Sequence, residues 1–173
     1  MALVVNERGM IMNIHDEYKK AGVLHGHYCP GLAIGVRAAV EGRNILGEGS
    51  LSVIAERSAC WLDGFSLIGA TVANGKLKLH DTGKPVFSIY NTESGKSVRL
   101  VLKASPAGLS RDGMTQWLLT APVDEVFTIG DIKQPFPEYK PAGREVLCAA
   151  CGEPVLESKT IEKDGKYYCA DCN

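Results

Sequence analysis

No run of this 173-residue chain is long and apolar enough to cross a bilayer. The longest stretch free of formal charge, residues 21–36, is interrupted by His25, His27, Pro30 and several glycines, and it falls short of the roughly 20 apolar residues a spanning helix needs. Net charge is lacking as well: 19 Lys and Arg stand against 20 Asp and Glu, a balance of -1. That excludes a global electrostatic case for nucleic acid or an anionic membrane. The opening MALVVNERG has no basic stretch followed by an apolar one, so no secretory signal is expected. No internal repeat or low-complexity tract appears. Nor do the six cysteines form a disulfide-type framework, since two stand alone (Cys29, Cys60) and four fall in C-x-x-C pairs. That layout suggests metal or redox chemistry in a reducing compartment, and the expected location is the cytoplasm.

What is present is enough apolar sequence for a core: 45% of residues are hydrophobic. This length predicts one main domain plus a small appendage. Residues 10–21 mix apolar and charged positions at helical spacing, with Gly22 as the stop. Residues 30–41 read as a second helix, with Pro30 at its first position; Gly31, Gly35 and Ala38 would let it approach a neighbour closely. Residues 51–55 form a short apolar strand. Residues 56–68 read as helical, with Trp61, Phe65 and Ile68 facing the core. Asn74-Gly75 predicts a hairpin between 70–73 and 76–80. Strands follow at 84–90 and 97–103, and a helix at 111–121. Short β and α runs without a regular βαβ period indicate an α+β fold. Residues 134–144 hold three prolines, a composition suited to an extended tether. The expected organisation is a core domain over 1–133, a Pro-rich linker over 134–147 and a zinc module over 148–173.

The strongest motif is C-x2-C-x17-C-x2-C, formed by Cys148, Cys151, Cys169 and Cys172. Each C-x-x-C turn presents two thiolates from one knuckle, and two facing knuckles complete the tetrahedron that zinc accepts. Asp164-Gly165 supplies a turn between them, and Tyr167-Tyr168 would pack beside the second pair. Four cysteines leave no open coordination position, so this zinc is expected to be structural. Paired knuckles on a short hairpin match zinc better than an iron-sulfur cluster. In this segment Glu153, Glu157, Glu162, Asp164 and Asp171 outnumber Lys159, Lys163 and Lys166, so a basic footprint for nucleic acid is missing.

A second constellation lies in His25-Gly26-His27-Tyr28-Cys29-Pro30-Gly31, which packs three metal-capable side chains into five residues. Cys29 would sit at a helix N-terminus, where unpaired N–H groups favour the thiolate. From spacing alone two readings stand: a metal or catalytic site, or a buried structural cysteine beside a polar turn. On a helix over 56–68, Glu56, Cys60 and Asp63 would share one stripe and could close a site against the His/Cys loop. By itself Cys60 also reads as a small core residue.

The run H-G-H-x-C-P-G-L-x-x-G-x-R (residues 25–37), followed by E-x-x-x-C-x-x-D (residues 56–63), resembles the signature of the FmdE family of formylmethanofuran dehydrogenase-associated proteins. Residues 69–71, Asp81-Thr82-Gly83-Lys84 and Phe87 extend the resemblance over about residues 10–105. Gly64-Phe65-Ser66 stands where the family commonly has Ala-Ile-Gln. The resemblance implies a mixed sheet flanked by helices, a treble-clef-like zinc finger and a homodimer. It also implies a core metal site, with His25, His27, Cys29 and Cys60 as ligands or catalytic groups and Glu56 as a ligand or its support. Beyond the structural zinc, a second transition metal would occupy that site. The family's name links it to molybdenum or tungsten formylmethanofuran dehydrogenase of methanogens, which makes components of such oxidoreductases the expected partners. The first expectation for function is therefore a metal-binding accessory protein. Its rivals are a stand-alone metal-dependent hydrolase or thiol redox enzyme, and an interaction or regulatory protein acting through the zinc module.

Overall fold

The computed structural model describes residues 4–5, 11–132, 135–137 and 143–173. The chain divides into two compact units, Met1–Phe136 and Pro137–Asn173. In the first, the short strands β1 (Val4–Val5) and β2 (Ile11–Met12) pair antiparallel. Helix α1 (Ile14–His25) starts where the Asn13 side chain accepts the His15 N–H, and it ends at Gly26 in the left-handed region. Capped ends of this kind satisfy backbone groups that a helix leaves open. The helix expected over 10–21 therefore lies a few residues further on; Met10 falls outside the described residues.

Helix α2 (Pro30–Leu46) begins at Pro30 as expected but runs five residues past the predicted end, to Leu46, with Gly47 as its C-cap. It is the centre of the unit, with Leu32, Ala33, Val36, Ala38 and Ala39 fully buried. Its small residues allow close packing. A Cβ on Gly42 would sit 2.5 Å from Ile89 Cδ1, and one on Gly35 only 2.0 Å from the Trp61 carbonyl oxygen.

Strand β3 (Leu51–Ala55) matches its prediction and is buried throughout. The helix expected over 56–68 is only partly formed. Residues 56–60 are irregular, α3 (Trp61–Gly64) is one turn, and Phe65–Ile68 is a 3₁₀ turn. Trp61, Phe65 and Ile68 are nevertheless buried. Phe65 and Trp61 pack on Phe87, with ring centroids 5.2 and 5.7 Å apart. Burying one such ring contributes about 1.5–3 kcal/mol.

The expected hairpin at Asn74-Gly75 does not form. The Asn74 side chain accepts the Thr71 and Lys76 N–H groups and donates to the Gly69 carbonyl, while the Ala70 N–H bonds to the Phe65 carbonyl. These local bonds hold 70–75 as a turn, so β4 (Leu77–Leu79) pairs instead in parallel with β3. Strands β5 (Val86–Asn91) and β6 (Ser97–Leu102) follow, then α4 (Arg111–Thr120), α5 (Val123–Val126) and β7 (Phe127–Gly130). The result is a five-stranded mixed sheet, order β4-β3-β5-β6-β7, flanked by helices, in agreement with the α+β expectation. Buried Arg37 ties α2 to the end of α4, donating to the carbonyls of Leu118 and Ala121 at 3.2 and 2.8 Å. Among the described residues, no helix is long and apolar enough to cross a membrane.

The second unit contains β8 (Glu145–Leu147) paired with β9 (Pro154–Leu156), and β10 (Ile161–Lys163) paired with β11 (Lys166–Tyr168). Its second hairpin turns on Asp164 and Gly165, with φ of 49° and 73°, the left-handed pair a tight two-residue hairpin requires. Strand β8 falls within the residues assigned to the linker. Much of the Pro-rich tether expected at 134–144 lies outside the described residues.

Candidate metal centre

Three structural elements deliver the core residues to one point. His25 closes α1, Cys29 is the N-cap of α2, and Cys60 immediately precedes α3. With His27 they offer four ligand atoms that all lie within 4.8 Å of one another. The His25 Nε2 is 3.8 Å from Cys29 Sγ. Tetrahedral zinc-type bonds to a nitrogen and a sulfur would separate those atoms by roughly 3.5 Å, so the pair needs little adjustment to share an ion.

Local backbone features set this geometry. The Cys29 sulfur accepts the Leu32 N–H at 3.3 Å, as a capping side chain does. The Tyr18 hydroxyl donates to the Cys29 carbonyl at 3.2 Å. Gly31 leaves room for the second sulfur: a Cβ there would stand 3.0 Å from Cys60 Cβ and 3.8 Å from each sulfur. Gly35 and Gly64 then bring the two backbones together, since a Cβ on Gly64 would lie 2.4 Å from the Gly35 carbonyl carbon.

Asp63 is the supporting residue whose role sequence reasoning missed. Its carboxylate lies 2.7 Å from His25 Nδ1. An ionised carboxylate can only accept, so this contact puts the proton on Nδ1 and turns the Nε2 lone pair toward Cys29. Histidines that bind metals are oriented in this way. The spacing C-x-x-D carries the signal, but helical periodicity groups Asp63 with Cys60 and Glu56 on one stripe. That stripe does not exist, because 56–60 is not helical. Glu56 stands apart from the cluster. Its carboxylate accepts from the Thr82 hydroxyl at 2.8 Å and pairs with Arg99 at 3.0 Å.

Burial pushes the Cys60 thiol up from its ordinary value, and the adjacent Cys29 sulfur pushes it further. Two thiolates side by side repel, and a bound cation reverses that balance by favouring the deprotonated form of both. The donor set of two sulfurs and two imidazoles suits a soft or borderline transition ion.

In the second unit Cys148, Cys151, Cys169 and Cys172 likewise place their sulfurs within 4.8 Å of one another. The Cys148 sulfur accepts the Cys169 N–H at 3.4 Å. Backbone N–H groups of Cys151, Cys169 and Ala150 lower its pKa to about 6. Gly152, with φ of 75°, closes the first knuckle by donating to the Cys148 carbonyl. Ala149 donates to the Tyr167 carbonyl at 2.8 Å, joining that knuckle to the second hairpin. Arg144 holds Glu157 by two bonds, of 2.9 and 2.6 Å. The four thiol groups fit a tetrahedral zinc ion with no position left over.

Fold and sites together define an α+β protein that carries a His2Cys2 cluster in its core unit and a four-cysteine zinc-type knuckle in its second. The chain belongs to the FmdE family: the model described as "FmdE, Molybdenum formylmethanofuran dehydrogenase operon" matches residues 24–128. Its fold is similar to that of a tungsten formylmethanofuran dehydrogenase FmdE-like protein from Syntrophus aciditrophicus. The TM-score is 0.73 at 22% identity, covering 99% of this chain and 95% of that one. It is also similar to a "Probable S-adenosyl-L-methionine-binding protein" of Archaeoglobus fulgidus, 24% identical over 192 aligned positions. That match takes in 88% of this chain but spans only about half (51%) of the relative's length.

Proposed function

We propose that this protein is a metal-binding accessory protein that serves a molybdenum- or tungsten-dependent oxidoreductase of the formylmethanofuran dehydrogenase type. The observation that carries the metal reading is the convergence of His25, His27, Cys29 and Cys60 from three separate elements on one point. Asp63 orients one imidazole, and the α2 N-terminus receives one sulfur. The family's operon association supports the choice of client. In this reading the core cluster holds a transition ion, and the Cys148–Cys151–Cys169–Cys172 set holds a structural zinc. The chain acts in the cytoplasm as a homodimer, which sedimentation equilibrium tests directly. A pure thiol redox role for Cys29 and Cys60 gains less support, because a disulfide couple needs only the two sulfurs, whereas two imidazoles also place a nitrogen within 4.8 Å of both.

Elemental analysis of anaerobically purified protein tests the proposal. Two metal equivalents per chain are expected, falling to one in Cys29→Ser/Cys60→Ala. An unchanged count in that variant sinks the core site. For the client, molybdenum or tungsten should co-purify with the tagged protein from its own anaerobic host.

A further inference from the structure

The four core donors are not held alike. The His25 ring is fixed by Asp63 at 2.7 Å and its side chain is 9% exposed. The Cys29 sulfur is buried and accepts the Leu32 N–H. Cys60 is set by the close backbone contact of Gly35 with Trp61. His27, in contrast, is exposed. Among the described residues its ring makes no hydrogen bond or ion pair and only contacts the His25 ring at a tilt of 38°, centroids 4.3 Å apart.

The chain on either side of His27 is pinned. Gly26 ends α1 in the left-handed region, with its N–H on the Gly22 carbonyl. Tyr28 lies over Gly22, so closely that a Cβ there would be 2.1 Å from its ring. Its hydroxyl donates to the Lys19 carbonyl at 3.3 Å, and its ring packs on Tyr18. A rotation of the His27 side chain alone, with no loop movement, would withdraw its nitrogen. Three anchored ligands plus one exchangeable position is the arrangement that distinguishes reactive metal sites from closed ones.

We propose that the core centre is an exchange site, in which His25, Cys29 and Cys60 are the permanent ligands and His27 is a displaceable fourth. The incoming ligand is a single sulfur or nitrogen donor atom of the thiol or imidazole class. Soft and borderline donors of that kind compete best at a centre already ligated by two thiolates. Solvent reaches the position from the side on which His27 is exposed. The inference rests on the core metal reading above.

The test uses full-length protein reconstituted with cobalt(II), read as a difference spectrum against Cys29→Ser/Cys60→Ala to remove the contribution of the terminal cysteines. His27→Ala should keep the core equivalent of cobalt through gel filtration, whereas His25→Ala and Cys29→Ser lose it. The serine keeps a helix cap at that position, so loss there reports the sulfur rather than the fold. Free imidazole added to His27→Ala should restore the wild-type visible bands. In wild-type protein, 2-mercaptoethanol should add thiolate charge-transfer intensity in proportion to a third sulfur. Loss of cobalt from His27→Ala equal to that from His25→Ala overturns the exchange proposal. So does a spectrum that neither imidazole nor thiol changes. A wild-type protein with no core cobalt overturns both this proposal and the metal reading beneath it.

Discussion

The two clusters of this protein each gather four donor atoms within 4.8 Å of one another and share almost nothing else. The core cluster is assembled on a folded unit: His25 and Cys29 sit at capped helix ends and Cys60 at the start of α3, with close glycine packing and buried Leu32, Trp61 and Phe65 behind them. The terminal cluster has no such backing. Among the described residues of Pro137–Asn173, Cys148 alone is buried. In the first case the fold makes the site, and metal would be an addition. In the second the site makes the fold, because two short hairpins without an apolar core cannot offset their conformational entropy.

The largest expected effect breaks this contrast most directly. Replacing Cys148 by Ala, or removing zinc with a chelator, should unfold the second unit outright. Structural zinc supplies on the order of 10–16 kcal/mol of binding free energy in comparable small modules. Amide hydrogen exchange should show residues 143–173 losing all protection while β3, β5 and α2 keep theirs. Protection retained in 143–173 without metal would show that this unit folds by means other than its thiolates.

The next effect strikes the other site through packing. In Gly35→Ala the new Cβ meets the Trp61 carbonyl oxygen at 2.0 Å. Backbone must move, at a cost of about 3 kcal/mol, the upper end for overpacking. Alanine recovers only about 1 kcal/mol of helix propensity, so a net loss of about 2 kcal/mol is expected. Urea denaturation of the core unit measures it. Core metal should weaken with it, because the same contact sets Cys60 beside Cys29, while the terminal zinc should be indifferent. A Gly35→Ala protein of wild-type stability would mean that the two backbones are not so closely apposed.

How far each site is legible in the sequence follows from the same contrast. The terminal cluster is readable because its ligands are local, two turns and a hairpin, and no tertiary contact is needed to place them. For the core cluster, spacing supplies His25, His27 and Cys29, and Pro30 marks the helix that receives the Cys29 sulfur. Periodicity offers Cys60 either as a partner to them or as a small core residue, and the family resemblance decides for the former. Extended over 56–68, periodicity misleads, because Glu56 is held at the end of a strand by Arg99 and Thr82. The Asn74-Gly75 dipeptide does turn the chain, but the Asn74 side chain closes that turn on Gly69 and Thr71. Parallel pairing of β3 with β4 leaves no local signature, so sequence alone does not show it.

A smaller effect tests how the core site is oriented. Asp63→Ala removes the acceptor from His25 Nδ1 and frees the ring to rotate or change tautomer. Loss of such an outer partner typically weakens metal binding by about 10- to 100-fold. Asp63→Asn, whose amide oxygen still accepts, should recover much of it. In metal-free protein, histidine nitrogen NMR should report the Nδ1–H form of His25 in wild type and Asp63→Asn and a mixture in Asp63→Ala. Equal metal affinity in all three proteins would mean that His25 is placed by packing alone.

The smallest effect decides whether Glu56 belongs to the site or to the scaffold. Burial raises its pKa, but hydrogen bonds from Thr82 and Arg99, with the charges of Arg99 and Lys84, outweigh this and leave it below the ordinary 4.5. A carboxylate with a depressed folded-state pKa adds stability that is complete above its unfolded value and is lost as pH falls through the folded one. Glu56→Gln should therefore be modestly less stable than wild type at neutral pH. The difference should shrink once the pH drops below the ordinary value of 4.5 and vanish below the depressed one. Core metal affinity at neutral pH should not change, because the carboxylate is turned to Arg99 rather than to Cys60. A loss of core metal in Glu56→Gln, with no acid-dependent stability difference, would return Glu56 to the ligand set.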